Sequence, residues 1–120
     1  MVPTKKKFEN KTVIFYDILN HGKSKKGYNT LTFDNFTDQL NNLLSHLKIN
    51  KINLVGFSIG ALIAQHFYLK NNNKINKLVL IGSVYKRSEE QKKIVRNRYK
   101  ESKNGADITE DSINRWFSKS

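Results

Sequence analysis

Apolar positions in this chain alternate between two patterns, short unbroken runs and stripes at helical spacing. Met1 to Asn10 is polar and shows little period. Lys11 to Asp17 (Lys-Thr-Val-Ile-Phe-Tyr-Asp) is an apolar run with β-branched and aromatic members, as suits a strand covered on both faces. A loop rich in turn residues follows, through Asn20-His21-Gly22-Lys23-Ser24 to Leu31. Then Phe33, Phe36, Leu40, Leu43, Leu44 and Leu47 fall three or four apart, which predicts an amphipathic helix over about 33–48. Thr32 is placed to cap it, and Asp34 lies in the first turn, where negative charge is favoured.

A second apolar run over Ile52–Val55 predicts another strand, and Ala61–Lys70 another helix. That helix carries Leu62, Ile63, Ala64, Phe67 and Tyr68 over a wide arc, so it reads as largely buried. Asn71–Asn73 ends it, since Asn tolerates the left-handed conformation of a helix stop. Leu78–Ile81 is the third strand. Strand and helix alternate with short links, which predicts an α/β fold of three parallel strands with right-handed crossovers. Chemistry in such sheets lies beyond the carboxyl ends of the strands. Three segments reach that edge: Asp17–Ser24, Ser58, and Gly82–Tyr85.

From Lys86 the character changes. Ser88–Ser102 predicts a charged helix whose only apolar stripe is Ile94, Val95 and Tyr99, with Glu89 and Lys93 as an i,i+4 pair. A solvated face is the simpler reading of this helix, a basic docking face the other. A last helix is expected from Thr109 as cap, with Ile108 and Ile113 as a hydrophobic staple and Ile113, Trp116 and Phe117 as its apolar face. The chain thus divides into a core over 1–85 and a helical segment over 86–120.

Composition narrows the choices. A chain of 120 residues makes one modest domain. There is no cysteine, which excludes disulfides, thiolate metal sites and a thiol nucleophile. No His or carboxylate cluster stands at ligand spacing, so neither a metal nor a cofactor is expected. No apolar stretch is long enough to span a membrane, and Met1–Lys11 is basic without the apolar core of a secretory signal, so a cytoplasmic location is the default. The net charge of +12 favours anionic partners such as nucleic acid or a membrane surface. The basic residues are scattered among many Lys, Asn and Ile, and compositional drift explains them more simply than a nucleic-acid role.

The most specific pattern is Gly56-Phe57-Ser58-Ile59-Gly60, a Gly-x-Ser-x-Gly between a predicted strand and a predicted helix. A serine held there sits on a tight turn with its hydroxyl pushed out above the sheet edge. Gly56 and Gly60, without a Cβ, are expected to let the two backbones approach closely. The N–H of Ile59 falls in the first helical turn, where it could donate to an oxyanion at the positive end of the helix dipole. The plainer alternative is a glycine-rich turn whose serine merely caps the helix.

Together with its neighbours, this stretch resembles the α/β-hydrolase superfamily. Val13–Asp17 with Asn20-His21-Gly22-Lys23-Ser24 resembles the family's fourth strand and the Asp-x-x-Gly-His-Gly-x-Ser loop after it, with Asn20 in place of the usual Gly. Phe36–Leu47, with Asp38, resembles the next helix, Ile52–Gly60 the fifth strand and elbow, and Lys77–Ile81 the sixth strand. Gly82–Tyr85 and the helices through Arg115-Trp116-Phe117 look like the start of a lid. Within the superfamily the wording is closest to esterases, lactonases and carbon–carbon hydrolases of the enol-lactonase kind.

The resemblance implies Ser58 as nucleophile, Ile59 as one oxyanion donor, and Phe57, Val84 and Tyr85 beside the substrate. The substrate would be a small ester, lactone or thioester. The second oxyanion donor of the family comes from a loop upstream of these residues, and its acid and histidine usually follow later strands, beyond Ser120. His21 belongs to the loop motif, and His46 and His66 read as ordinary helix histidines. The residues therefore read as the middle of a hydrolase, inactive as they stand. A non-catalytic interaction fragment and a basic anion-binding module are the competing readings. The family's third strand lies between its fourth and fifth, so residues 11–17 and 51–55 must either pair directly or leave a slot open.

Overall fold

The structure, a computed structural model, describes residues 4–8, 10–105, 107 and 109–117. Its elements follow largely from local signals. The helix α1 (Phe33–His46) opens on a reciprocal capping box: the Thr32 hydroxyl accepts from the Asn35 N–H, and the Asn35 side chain accepts from the Thr32 N–H. Of its predicted stripe, Phe36, Leu40, Leu43 and Leu44 are inside, Leu47 is half-buried and Phe33 stays exposed. The helix ends two residues earlier than the spacing suggested. Leu47 is the C-cap, Lys48 takes a positive φ of 55°, and the Ile49 N–H closes back on the Leu44 carbonyl at 2.9 Å.

The strand β3 (Ile52–Phe57) leads into the helix α2 (Ile59–Asn71), and a short 3-10 turn (Asn72–Lys74) leads from there to the strand β4 (Ile75–Ile81). The strands β3 and β4 pair in parallel, Leu54 opposite Leu78 and Phe57 opposite Ile81, with one register irregularity at Ile52/Asn53. This is the expected strand–helix–strand unit. The helices α1 and α2 both pack on one side of the chain's core, where Leu40, Leu44 and Phe67 meet Ile49, Ile52, Leu54, Ile75 and Tyr16.

Four further details differ from the sequence reading. First, the polar N-terminal stretch contains a strand, β1 (Thr4–Phe8), which pairs antiparallel with β2 (Lys11–Phe15). Among the described residues no ladder joins β2 to β3, so the slot between them stays open. Second, the strands are not covered on both faces: Phe15 is 58 % exposed and Val55 60 %. Third, α2 is less buried than its composition suggested. Ala61, Ile63, Ala64 and Phe67 are inside, whereas Tyr68 is exposed. The wide apolar arc outruns what this chain can cover. Fourth, Glu89 pairs with Lys92 at 2.6 Å, one residue short of the expected Lys93.

The chain forms two compact units that divide between Ser83 and Val84. The second holds α3 (Glu89–Lys103) and α4 (Thr109–Trp116). Ser88 caps α3 in a box with Gln91. Thr109 is the first residue of α4, inside the helix where the sequence placed a cap, and donates its N–H to the Asp107 carboxylate at 2.8 Å. The Thr109 side chain, then its backbone, holds the Asp107 carboxyl below the usual carboxylate range. The staple residue Ile108 lies outside the described residues. No helix among the described residues is long and apolar enough to cross a membrane.

Candidate functional site

Ser58 lies at the junction the sequence pointed to, between the end of β3 and the first residue of α2. Its backbone is at φ 53°, ψ −117°. A non-glycine residue with positive φ is uncommon, and strain of about 1–3 kcal/mol persists only where surrounding structure holds it. Two hydrogen bonds do the holding. The Ser58 N–H donates to the Ile81 carbonyl at 2.9 Å, tying the turn to the end of β4, and the Ser58 carbonyl accepts from Ala61 N–H at 3.0 Å.

The hydroxyl itself is not used for folding. Ser58 is the helix N-cap, yet its side chain makes no cap hydrogen bond, and the residue is exposed. The plainer alternative, a serine present to cap α2, therefore fails on geometry. The first turn of α2 carries no acidic side chain, so its positive end meets no fixed counter-charge there. Phe57 and Ile59 flank the serine and are 70 % and 49 % exposed.

The two glycines of the elbow do different things. A Cβ on Gly56 would run into the Gly60 carbonyl and the Ala61 Cα, so β3 and α2 can touch only if residue 56 has no side chain. A Cβ on Gly60 would meet nothing within 4 Å. Sequence reasoning gave both the same task, but the steric demand falls on Gly56, with the backbone of residue 60 as what it meets.

The second segment at the sheet edge, residues 17–28, is built around Asp17. Its carboxylate accepts from the Lys23 N–H at 2.8 Å, and a Cβ on Gly22, at φ 49°, would overlap that carboxylate. The Asp17 carbonyl accepts from the Ser24 hydroxyl and from the Gln39 side chain at 3.0 Å. Gln39 also accepts from the Leu19 N–H at 3.1 Å, so α1 clamps the loop from the side. Nothing in the sequence singled out Gln39, because its partners lie about twenty residues away. Asn20 has φ 64°, and its amide bridges to both backbone groups of Tyr28, so an Asn can stand where the resemblance led one to expect Gly. A cavity of about 490 Å³ between this loop and α1 is lined in part by Lys25, Tyr28, Asp38, Asn42 and His46, away from Ser58.

The third segment is fixed by Gln65, one side chain of α2 that sequence reasoning passed over. It donates to the Ser83 hydroxyl at 3.0 Å. Val84 and Tyr85 open the second unit and are both exposed.

None of the three histidines is bonded to Ser58. The His21 ring meets the Leu19 carbonyl at 2.9 Å, and His46 lines the cavity beside α1. His66 shares Asp34 with Lys70, its Nε2 lying 2.6 Å from the carboxylate. Lys70, then His66, holds the Asp34 carboxyl below the usual carboxylate range. No group of three or more His, Cys, Asp or Glu among the described residues could hold a metal ion.

Comparison with known proteins gives the same architecture. A family model described as alpha/beta hydrolase fold matches residues 5–112. The chain is 27 % identical over 108 residues to an (E)-2-((N-methylformamido)methylene)succinate hydrolase of Acinetobacter baylyi, covering 90 % of this chain and 41 % of that protein. It is 38 % identical over 69 residues to the sn-1-specific diacylglycerol lipase ABHD11 of Danio rerio, covering 58 % of this chain and 22 % of the lipase. Among solved structures, MGS-M2, an alpha/beta hydrolase enzyme from a Medee basin deep-sea metagenome library, superposes with a TM-score of 0.71 at 34 % identity. That match covers 81 % of this chain and 35 % of the other. The chain spans less than half the length of these relatives. With a family match over most of its length and a strand–serine–helix unit of the right geometry, the chain belongs to the alpha/beta hydrolase fold family.

Proposed function

We propose that Ser58 is the nucleophile of a serine hydrolase that cleaves carboxylic esters, lactones or thioesters through an acyl-enzyme. One observation carries the reading: an exposed hydroxyl with no folding role, on a positive-φ residue between a parallel strand and a helix N-terminus. In this chemistry the Ser58 Oγ attacks the carbonyl carbon and its proton passes to a base. The carbonyl oxygen becomes an oxyanion, and the Ile59 N–H is the donor from this segment that receives it. Collapse expels the alcohol or thiol, or opens the lactone, and leaves the acyl group on Ser58. Water then releases the acid.

Phe57 is assigned to the wall of the substrate site, with Val84 and Tyr85 as further substrate-binding residues. The base is a histidine other than His21, His46 or His66, each of which is engaged elsewhere or set on a helix away from the turn. Residues 1–120 alone are then a poor catalyst, since removing the serine or the histidine of a triad costs on the order of a millionfold. Two relatives are named as a hydrolase of a succinate derivative and as a diacylglycerol lipase, which supports hydrolysis and leaves the substrate open.

The test is a fluorophosphonate probe on the folded protein carrying its full complement of hydrolase segments. Labelling should occur at residue 58 and vanish in Ser58→Ala while the circular dichroism spectrum is unchanged. A folded protein that takes no label at Ser58 refutes the assignment.

A further inference from the structure

One side chain of α2 has no part in the chemistry above yet is bonded into the turn that carries it. Gln65 stands seven residues after Ser58, close to two full turns, so the two share a face of the helix. Its Nε2 donates to the Ser83 hydroxyl at 3.0 Å. Ser83 ends the first unit, and Gly82 before it has φ 63°, which turns the chain sharply as it leaves β4. A Cβ on Gly82 would lie 3.4 Å from the Phe57 ring and 3.8 Å from the Ser58 nitrogen, so Gly82 faces both. Ile81, next along, supplies the carbonyl that accepts the Ser58 N–H at 2.9 Å. Gln65, Ser83, Gly82, Ile81 and Ser58 thus close a circuit from α2 back to its own N-cap.

We propose that Gln65 is a positioning residue for Ser58. By holding Ser83 against α2 it fixes the path of the chain after β4, and with it the Ile81 carbonyl and the backbone that Phe57 rests beside. The proposal rests on the reading of Ser58 as nucleophile. A hold is needed at this point because glycine has the widest choice of backbone conformations, and a change at Gly82 swings the Ile81 carbonyl away from Ser58. Gln65 is half-buried and Ser83 exposed, so water could serve either group. What the bond contributes is therefore direction, beside a serine whose positive φ persists only while its neighbours hold it.

Amide exchange on residues 1–120 and fluorophosphonate labelling of the protein with its full complement of hydrolase segments test it together. Gln65→Met keeps the length of the side chain and removes the donor. It should speed exchange of the Ser58 N–H about tenfold, while the Leu44 N–H of α1, which reports opening of the core, changes less than about twofold. Labelling at Ser58 should slow about tenfold at a temperature well below the melt. Ser83→Ala should do the same, and the double variant should be no slower than either alone, as for two ends of one bond. Gln65→Glu, whose carboxylate accepts from the Ser83 hydroxyl, should restore most of the labelling rate. A Gln65→Met protein whose Ser58 exchange or labelling matches wild type overturns the proposal. So does equal acceleration at Ser58 and Leu44, which would make Gln65 a prop of the whole fold, and so do additive losses in the double variant. If the wild type takes no label, the nucleophile reading fails by itself, and the exchange rates alone decide whether Gln65 holds the turn.

Discussion

The two faces of the β3–β4 ladder are made by the same strands yet stand in opposite conditions. One face carries Ile52, Leu54, Gly56 and Leu78 toward α1 and α2, with Ile52 and Leu54 packed on Leu40, Leu44 and Phe67. The other carries Val55 opposite Val79 and Phe57 opposite Ile81, all four between 45 % and 70 % exposed. The residue types hardly differ, so composition did not decide which face is inside. Two helices did, by bringing a complementary apolar stripe to one side only. An apolar patch of this kind marks a surface made for contact. An unbroken apolar run therefore announces that a strand wants cover on both sides, but it does not say which segment provides it.

The comparison has a sharp energetic form. Phe67→Ala removes a ring with no exposure from the covered side and should cost about 3–5 kcal/mol, enough to unfold much of the population at ambient temperature. Val79→Ala removes two methyl carbons from the open side, 45 % exposed, and should cost less than about 1 kcal/mol. Urea melts of the two variants measure the difference. If both lose the same stability, the open face is covered in solution and the contrast between the faces is wrong.

Gly56→Ala probes the seam where the covered face meets the elbow. Its Cβ has only backbone to strike, the Gly60 carbonyl and the Ala61 Cα, and backbone cannot rotate away. Overpacking of this kind costs about 1–3 kcal/mol. The shift would move the start of α2, so labelling at Ser58 should fall as well. Gly60→Ala, placed where a Cβ meets nothing within 4 Å, should be milder on both counts.

What could be read in advance follows from how local each signal is. The cap at Thr32 and the stripe from Phe36 to Leu44 are local to α1, and both were legible, whereas the reciprocal bond from Asn35 was not read. The turn at Ser58 was legible because two glycines, a strand and a helix frame it within a dozen residues. The strand β1 was not: Thr-Lys-Lys-Lys-Phe carries no apolar alternation, and it exists as a strand through pairing with β2. The clamp of Gln39 on Asp17 and the tie of Gln65 to Ser83 join residues 22 and 18 apart, a separation that no local pattern encodes. Glu89 choosing Lys92 over Lys93 turns on side-chain rotamers, and both lysines are proper helical neighbours.

Tyr16 offers a test from high pH. It packs against the core on the covered side, and burial pushes its hydroxyl up to about 12 from the usual 10.0. The folded state thus disfavours the phenolate. The sign follows: the contribution is fully present below pH 10 and is lost as pH rises toward 12, on the order of 2 kcal/mol in all. In Tyr16→Phe that alkaline loss should disappear, while lysine deprotonation remains common to both proteins. Melts from pH 9 to 11 that run in parallel for the two would place the Tyr16 hydroxyl in water.

The smallest expected effect sits at the outer rim of the covered side. Asp34, in the first turn of α1, meets Lys70 and His66 of α2, with the Lys70 ammonium at 2.5 Å. These partners favour the carboxylate, so its folded pKa lies below the unfolded one. The clamp is therefore complete above the usual carboxylate range and is lost as pH falls through that lowered value. Because the groups are exposed, salt screens the interaction, and Asp34→Asn should change stability only marginally. The acid limb of the stability curve should flatten slightly in the variant, and about 0.5 M salt should erase most of the difference from wild type. A cost well beyond that, unaffected by salt, would mean that Asp34 supports α1 through its fold and not through charge, and the rim would then belong with the core it borders.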